Sequence, residues 1–207
     1  MWGAKLYNST MYNKIFVLVL IWFALVLGVS WLGLFSTHGI ISPILVIVSV
    51  LLPPLLFFIV HSRSHKLQQF FSSLSIKMLT LLQTWRLVGI IFLILYGRGE
   101  LPGTFALPAG WGDIAVGITA PFIALASGSR QIRFRRTFIA WNIFGILDFI
   151  VATTLGILSS QSSSFGLLAQ GVTIRPITIL PLSLIPTFAV PLFIILHLIA
   201  IMRTRSL

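Results

Sequence analysis

The sequence predicts an all-α protein, a polytopic membrane bundle of about six transmembrane helices with both termini in the cytoplasm. Three observations lead to this fold class. The 207 residues are 57% hydrophobic and only 8% charged, whereas a soluble domain carries roughly 25% charged residues. The apolar residues gather in segments of about 20 residues, the length that crosses a 30 Å hydrocarbon core. Basic residues concentrate in alternate connections, as the positive-inside rule requires.

The spans together form a single transmembrane domain over residues 1–207. The first apolar segment is too long for the roughly 7–15-residue core of a cleaved signal peptide, so it is predicted to stay as a span. The fourth segment is the shortest. The predicted spans are 15–35, 39–60, 78–97, 111–128, 137–158 and 182–202.

The distribution of basic residues predicts the orientation. With the N-terminus inside, eleven of the fourteen basic residues lie in cytoplasmic segments, and two, Arg98 and Arg175, lie outside. Arg86 lies within the third span. The net charge of +11 is therefore explained by loop charges that orient the protein in the membrane, and no nucleic-acid partner is implied.

Two connections are long enough to have structure of their own. Segment 62–77 has apolar residues at helical spacing and is predicted to be an amphipathic helix in the cytoplasmic interface. It is either a connector that rests on headgroups or a site for anionic lipids or a partner. The loop 159–181 is predicted to be an irregular cap over the outer face, with an extended flap as the alternative. The candidate lipid-binding residues are Arg63, Lys66 and Lys77.

Arg86 is the most informative single residue, because a charge in the hydrocarbon core costs about 2.5–3.5 kcal/mol on insertion scales. We expect it to face the bundle interior, with Gln83, Ile90 and Leu93 on the same helix face. Snorkelling to the cytoplasmic interface is the alternative. A rise of 1.5 Å per residue places Arg86 about 12 Å into the span.

The fifth span supplies two candidate partners for Arg86. The same rise places Asp148 about 8–9 Å further out, so a direct Arg86–Asp148 ion pair needs a vertical offset between the helices. Asn142 matches the height of Arg86 better and is the expected immediate partner. Asn142 belongs to a stripe of small and polar residues that is typical of helix packing, and Asp148 lies on the flank of this stripe.

The fourth span has a narrow face of small residues, which favours close helix packing. Asp113 is predicted to open this helix, where a carboxylate caps free N–H groups. Pro121 leaves the carbonyl of Gly117 without its helical donor, and this pair forms either a hinge or an ordinary kink.

The ionisable residues are predicted to form a ladder through the membrane, from Arg86 past Asp148 and Asp113 to Glu100 and Arg98 at the outer mouth. Intramembrane ionisable groups mark pathways for ions or solutes. A small-solute or ion transporter or channel is the favoured hypothesis. A non-catalytic partner or assembly subunit, in which the same residues only join helices, is the alternative.

An enzyme is less expected, but Gly110-Trp-Gly-Asp113 matches the G-x-G-D signature of intramembrane aspartyl proteases. Their chemistry needs two carboxylates that share a proton. Asp148 is the only intramembrane partner for Asp113. It follows the signature in the chain, whereas the partner aspartate of those families precedes it. The estimated heights of the two aspartates in the membrane also differ by about 12 Å.

No cofactor is predicted. The chain has no cysteine, so thiolate metal sites are excluded. His61 and His197 suggest at most a paired-imidazole haem site, and an interfacial position is the favoured interpretation of both.

One stretch carries a family resemblance. At Arg86-Leu-Val-Gly89, then at Gly99-Glu-Leu-Pro-Gly-Thr-Phe-Ala-Leu-Pro-Ala-Gly-Trp-Gly-Asp113 and at Trp141-Asn-x-x-Gly-x-x-Asp148, the chain resembles a group of small bacterial multi-pass membrane proteins of uncharacterised function. The resemblance covers about residues 83–150. It implies a bacterial inner-membrane location and brings no activity, substrate or cofactor.

Overall fold

The computed structural model describes residues 2–36, 41–127, 132–160, 166–168 and 171–205. Within these ranges the chain is a helical bundle without β-strands, and six helical stretches are long and apolar enough to cross a membrane. The predicted all-α bundle with six helices that could span a membrane is therefore confirmed. The helices are α1 (Trp2–Trp31), α2 (Ile41–Arg63), α3 (His65–Ser73), α4 (Ile76–Leu81), α5 (Ile90–Gly97), α6 (Gly103–Ala126), α7 (Ile132–Leu158) and α8 (Val190–Arg205).

The third crossing is not one α-helix. A 3₁₀ segment, Leu82–Gly89, joins α4 to α5. Its buried residues are Gln83, Arg86 and Gly89, a spacing of three that follows from the three residues per turn of a 3₁₀-helix. The expectation that Ile90 shares the face of Arg86 is wrong, because the shorter turn rotates Ile90 outward, where it is 52% exposed.

Helix α6 begins eight residues earlier than predicted. The backbone N–H groups of Phe105 and Ala106 donate to the carbonyl of Pro102 at 3.1 and 2.9 Å, which starts the helix at Gly103. The turn is thus confined to Arg98–Pro102, and α6 continues through Pro108 and Pro121. Asp113 lies in the third turn of α6, so its predicted role as the cap of this helix is wrong.

The small-residue face of α6 is buried against the third crossing. Gly117, Ala120 and Ala124 are all buried. A Cβ added to Gly117 would lie 2.9 Å from the Leu87 side chain and 3.0 Å from the Leu87 backbone nitrogen. The face therefore serves close packing inside the bundle, as its pattern predicts.

The remaining elements differ from the predictions in detail. Helix α2 passes through Pro53 and Pro54 unbroken. The predicted interfacial helix is shorter than 62–77, begins after Ser64, whose hydroxyl accepts from the Leu67 N–H, and ends at Ser73. The sixth crossing opens with a π-helical turn, Ile185–Ala189, that continues into α8.

The connection between α7 and the π-helical turn is described only in part. Its described elements include a 3₁₀ turn, Arg175–Thr178. Residues 161–165 and 169–170 of the predicted cap lie outside the described residues, as do 39–40 of the second predicted span and 128 of the fourth. The 3₁₀ turn lies at the same end of the bundle as the α5–α6 turn, since Ile177 packs in one cluster with Leu101.

Candidate functional site

Arg86 lies at the centre of the bundle with a side chain that is fully buried. Its Nε donates to Asp113 Oδ1 at 2.8 Å, and its Nη2 forms an ion pair with Asp148 Oδ2. Its Nη1 donates to the carbonyl of Gly145 at 3.1 Å. The face of the guanidinium lies over the Phe149 ring, 3.8 Å from the ring centroid. Snorkelling is therefore excluded for this arginine.

The direct ion pair with both carboxylates corrects the predicted heights. The 3₁₀ segment rises about 2 Å per residue and carries Arg86 deeper than an α-helix does. Asp113 is ten residues from the start of α6, which places it about 15 Å into the bundle. The expected gap of about 12 Å between Asp113 and Asp148 is wrong, because one guanidinium contacts both.

His197, expected at the interface, is fully buried and links Arg86 to Asn142. Arg86 Nη1 lies 3.4 Å from His197 Nε2, and His197 Nδ1 lies 2.8 Å from Asn142 Oδ1. Asn142 Nδ2 donates to the carbonyl of Phe138 at 2.8 Å. Because arginine only donates, the network assigns the neutral Nδ1–H tautomer to His197. The direct Arg86–Asn142 contact that was expected is wrong; the imidazole lies between them.

Three glycines make room for this arrangement, which we call the Arg86 cluster (Arg86, Asp113, Asp148, His197 and Asn142). A Cβ at Gly89 would collide with the Asp113 side chain, and one at Gly112 with the Asp148 carboxylate. A Cβ at Gly145 would collide with the His197 ring and lie 3.1 Å from Arg86 Nη1. Three stretches of the chain each supply polar side chains and a neighbouring glycine to the Arg86 cluster: Arg86–Gly89, Gly110–Asp113 and Asn142–Asp148.

The other candidate residues lie apart from the cluster's ion pairs. Gln83 is 1% exposed; its Nε2 is 3.5 Å from the carbonyl of Phe193, and its Oε1 has no partner among the described residues. Arg98 and Glu100 are exposed in the α5–α6 turn. Gly117 and Pro121 lie one and two turns beyond Asp113 in the unbroken α6.

A cavity of about 200 Å³ leads from the Arg86 cluster toward the 3₁₀ turn at Arg175. Asp113 lines it at the inner end, and Phe92, Phe105 and Phe149 form apolar walls. Arg175 and several hydroxyl residues also line it. Sequence reasoning missed this cavity because its lining comes from seven separate parts of the chain. The hydroxyl-bearing lining residues are Ser36, Ser42, Thr153, Ser160, Thr173 and Thr178.

Comparison with known proteins adds one finding. A family model described as a domain of unknown function, DUF8737, matches residues 41–205. The chain belongs to the DUF8737 family. Neither a curated protein nor a solved structure shows a significant match to the chain.

The DUF8737 region contains every residue of the Arg86 cluster and most of the cavity lining. Among the described residues, no group of three or more histidine and acidic side chains could hold a metal ion. His61 stacks near Phe57 and Phe71, apart from His197, so the two imidazoles form no pair. The chemistry that this arrangement offers is charge: it joins two carboxylates, one guanidinium and a neutral imidazole, and one of the carboxylates, that of Asp113, lines the cavity.

Proposed function

We propose that this membrane protein moves a small solute or ion through the cavity, as a transporter or channel-like protein. The observation that supports this most is that Asp113, an ion-paired carboxylate in the middle of the bundle, also lines the cavity. A charge that served folding alone would be expected to be sealed from water, because water weakens the electrostatic attraction. We further propose a bacterial inner membrane as its location.

Two irregular helical segments border the same region. The 3₁₀ segment carries Arg86, and the π-helical turn contributes Ile185 and Pro186 to the cavity wall. Mid-helix 3₁₀ stretches and π-bulges occur frequently at functional hinges and sites. Transporters place such irregular helices around their solute sites.

The two alternatives have less support. A partner or assembly subunit is expected to expose its small-residue groove, but that face of α6 is buried within the chain. An aspartyl protease needs carboxylates that share a proton. Here the Arg86 guanidinium binds both Asp113 and Asp148, which favours two separate anions.

The test is solute flux through reconstituted protein. Proteoliposome swelling is measured in isosmotic solutions of small organic cations, organic anions and polyols. Ala152→Trp fills the cavity, whereas Ile150→Trp is the control on the same helix, at a position that is 52% exposed outside the cavity lining. We expect swelling in at least one solute class, abolished by Ala152→Trp and retained by Ile150→Trp. No swelling in any solute, or equal swelling in both variants, contradicts the proposal.

A further inference from the structure

We propose that the cavity binds a small organic ammonium ion, with its charged end at Asp113 and its apolar body between the phenylalanine rings. This inference rests on the proposed function, because it names the solute class of the same cavity. It is carried by charge, by unpaired polar atoms and by cavity volume.

The Arg86 cluster lacks one cation, and Arg175, the other charged residue of the cavity lining, forms no ion pair with Asp113 or Asp148. Two carboxylates face one guanidinium, and the hydrogen bonds make His197 neutral. Each carboxylate uses one oxygen for Arg86, and its other oxygen, Asp113 Oδ2 or Asp148 Oδ1, accepts no hydrogen bond from the described residues. Asp148 Oδ1 lies against Gly112, so of the two carboxylates only that of Asp113 lines the cavity. Buried anions need a compensating charge and donors, and an ammonium group supplies both.

Ser160 gives independent evidence for a bound polar group. It lines the cavity and is 8% exposed, yet its Oγ has no hydrogen-bond partner in the part of the chain that the structure describes. A buried hydroxyl without a partner is destabilising. A solute in the cavity can provide the missing partner.

The walls and volume select an organic cation over a bare metal ion. Phe92, Phe105 and Phe149 provide ring surfaces, which attract both apolar groups and cations. A dry apolar cavity of about 150 Å³ is known to hold benzene. At about 200 Å³, this cavity has room for a benzene-sized body with a short amine.

The experiment measures binding of phenethylammonium to the purified full chain in detergent, by titration calorimetry and by thermal stabilisation. Neutral 2-phenylethanol and anionic phenylacetate have the same apolar body and are the comparison ligands. We expect saturable binding of phenethylammonium alone. Asp113→Asn should weaken it at least about tenfold, whereas Glu100→Gln, which also removes one carboxylate but lies outside the cavity, should not.

Ser160→Ala keeps the test decisive if Asp113→Asn does not fold. Removing the unpaired hydroxyl should leave the stability of the empty protein unchanged or higher and weaken binding about two- to tenfold. Ser159→Ala is the matched control. The Ser159 hydroxyl already pairs with that of Thr104 at 3.2 Å and does not line the cavity, so its loss should affect stability and spare binding.

The outcomes separate this inference from the proposed function. Equal binding of 2-phenylethanol, stronger binding of phenylacetate, or unchanged binding in both Asp113→Asn and Ser160→Ala overturns the ammonium site. If other solutes still cross proteoliposomes, the proposed function stands without it. Ammonium binding that depends on Asp113 but is accompanied by no flux of any solute supports the site and overturns transport.

Discussion

The guanidinium group of Arg86 makes contacts at every nitrogen and on one face. Each nitrogen has an acceptor, and the face lies on the Phe149 ring. Only arginine combines a permanent charge, a planar fork of donors and a face that stacks on an aromatic ring. The residue therefore couples four crossings, because it belongs to the 3₁₀ segment and its acceptors lie on α6, α7 and α8.

Replacing Arg86 should be more harmful than replacing Arg86 and Asp148 together. Arg86→Gln leaves two buried carboxylates without a counter-charge, and breaking such a pair costs about 3–5 kcal/mol. In Arg86→Gln/Asp148→Asn only Asp113 remains charged, so part of the loss should be recovered. Unfolding in detergent of the wild type, both single variants and the double variant gives the coupling energy. Additive losses would show that the pair does not contribute to folding.

Gly145→Ala should destabilise the protein, because its Cβ would meet the His197 ring and Arg86 Nη1. Overpacking of this kind costs about 1–3 kcal/mol. Gly156→Ala on the same helix is the control, since its Cβ would lie 3.5 Å from Phe105 in ordinary contact. It should change the unfolding free energy by about 1 kcal/mol or less. An equal loss of unfolding free energy in Gly145→Ala and Gly156→Ala would argue against the tight fit at Gly145.

For the individual elements, the sequence predicts the positions of the helices better than their type, α, 3₁₀ or π. Hydropathy locates the third crossing, but nothing in Leu82–Gly89 marks a 3₁₀ segment, since it lacks proline and ends in a glycine that an α-helix tolerates. The Pro-Gly pair at 102–103 correctly indicates a turn. Pro108 suggests that the turn is longer than it is. The helix in fact continues through Pro108, because proline is tolerated within membrane helices when neighbours satisfy the freed carbonyl.

The same limit applies to the site. A charged residue within a span signals a buried role, and this finds Arg86, Asp113 and Asp148. His197 also lies within the last span, but a lone histidine belongs to no motif that would distinguish a buried position from an interfacial one. Which side chains meet depends on the rise and rotation of each helix, and a 3₁₀ segment changes both.

Helix α3 and its flanks should bind anionic lipid. Arg63, Lys66 and Lys77 are exposed along this segment, and each basic residue near an anionic surface contributes about 1 kcal/mol. Added phosphatidylglycerol should raise the melting temperature of the wild type in detergent, and substitution of all three by glutamine should remove most of that increase. Arg98→Gln, at the opposite end of the bundle, should preserve it. Equal stabilisation of the triple variant would leave α3 as a connector only.

At the scale of the molecule, the two ends of the bundle differ in charge and shape. The end with α3 is basic, whereas the end with the α5–α6 turn holds the cavity. The positive-inside rule predicts that the cavity opens away from the cytoplasm, and the chain, which has no cysteine, is suited to test this. In intact cells a membrane-impermeant maleimide should label Glu100→Cys, and should label Ser72→Cys only after permeabilisation. Labelling of Ser72→Cys in intact cells, with labelling of Glu100→Cys only after permeabilisation, would show that the topology is the inverse of the predicted one.

If the cavity serves transport, water should reach the middle of the bundle through it. Cysteine reactivity at two nearby positions of α7 distinguishes a wet cavity from a dry one. Thr153 lines the cavity, whereas Val151 is 47% exposed on the outer surface of the helix, which lipid covers. In membranes, 2-aminoethyl methanethiosulfonate should modify Thr153→Cys much faster than Val151→Cys, and phenethylammonium should slow the Thr153→Cys reaction. Equally slow modification of Thr153→Cys and Val151→Cys would show a closed, dry interior and contradict transport through the cavity.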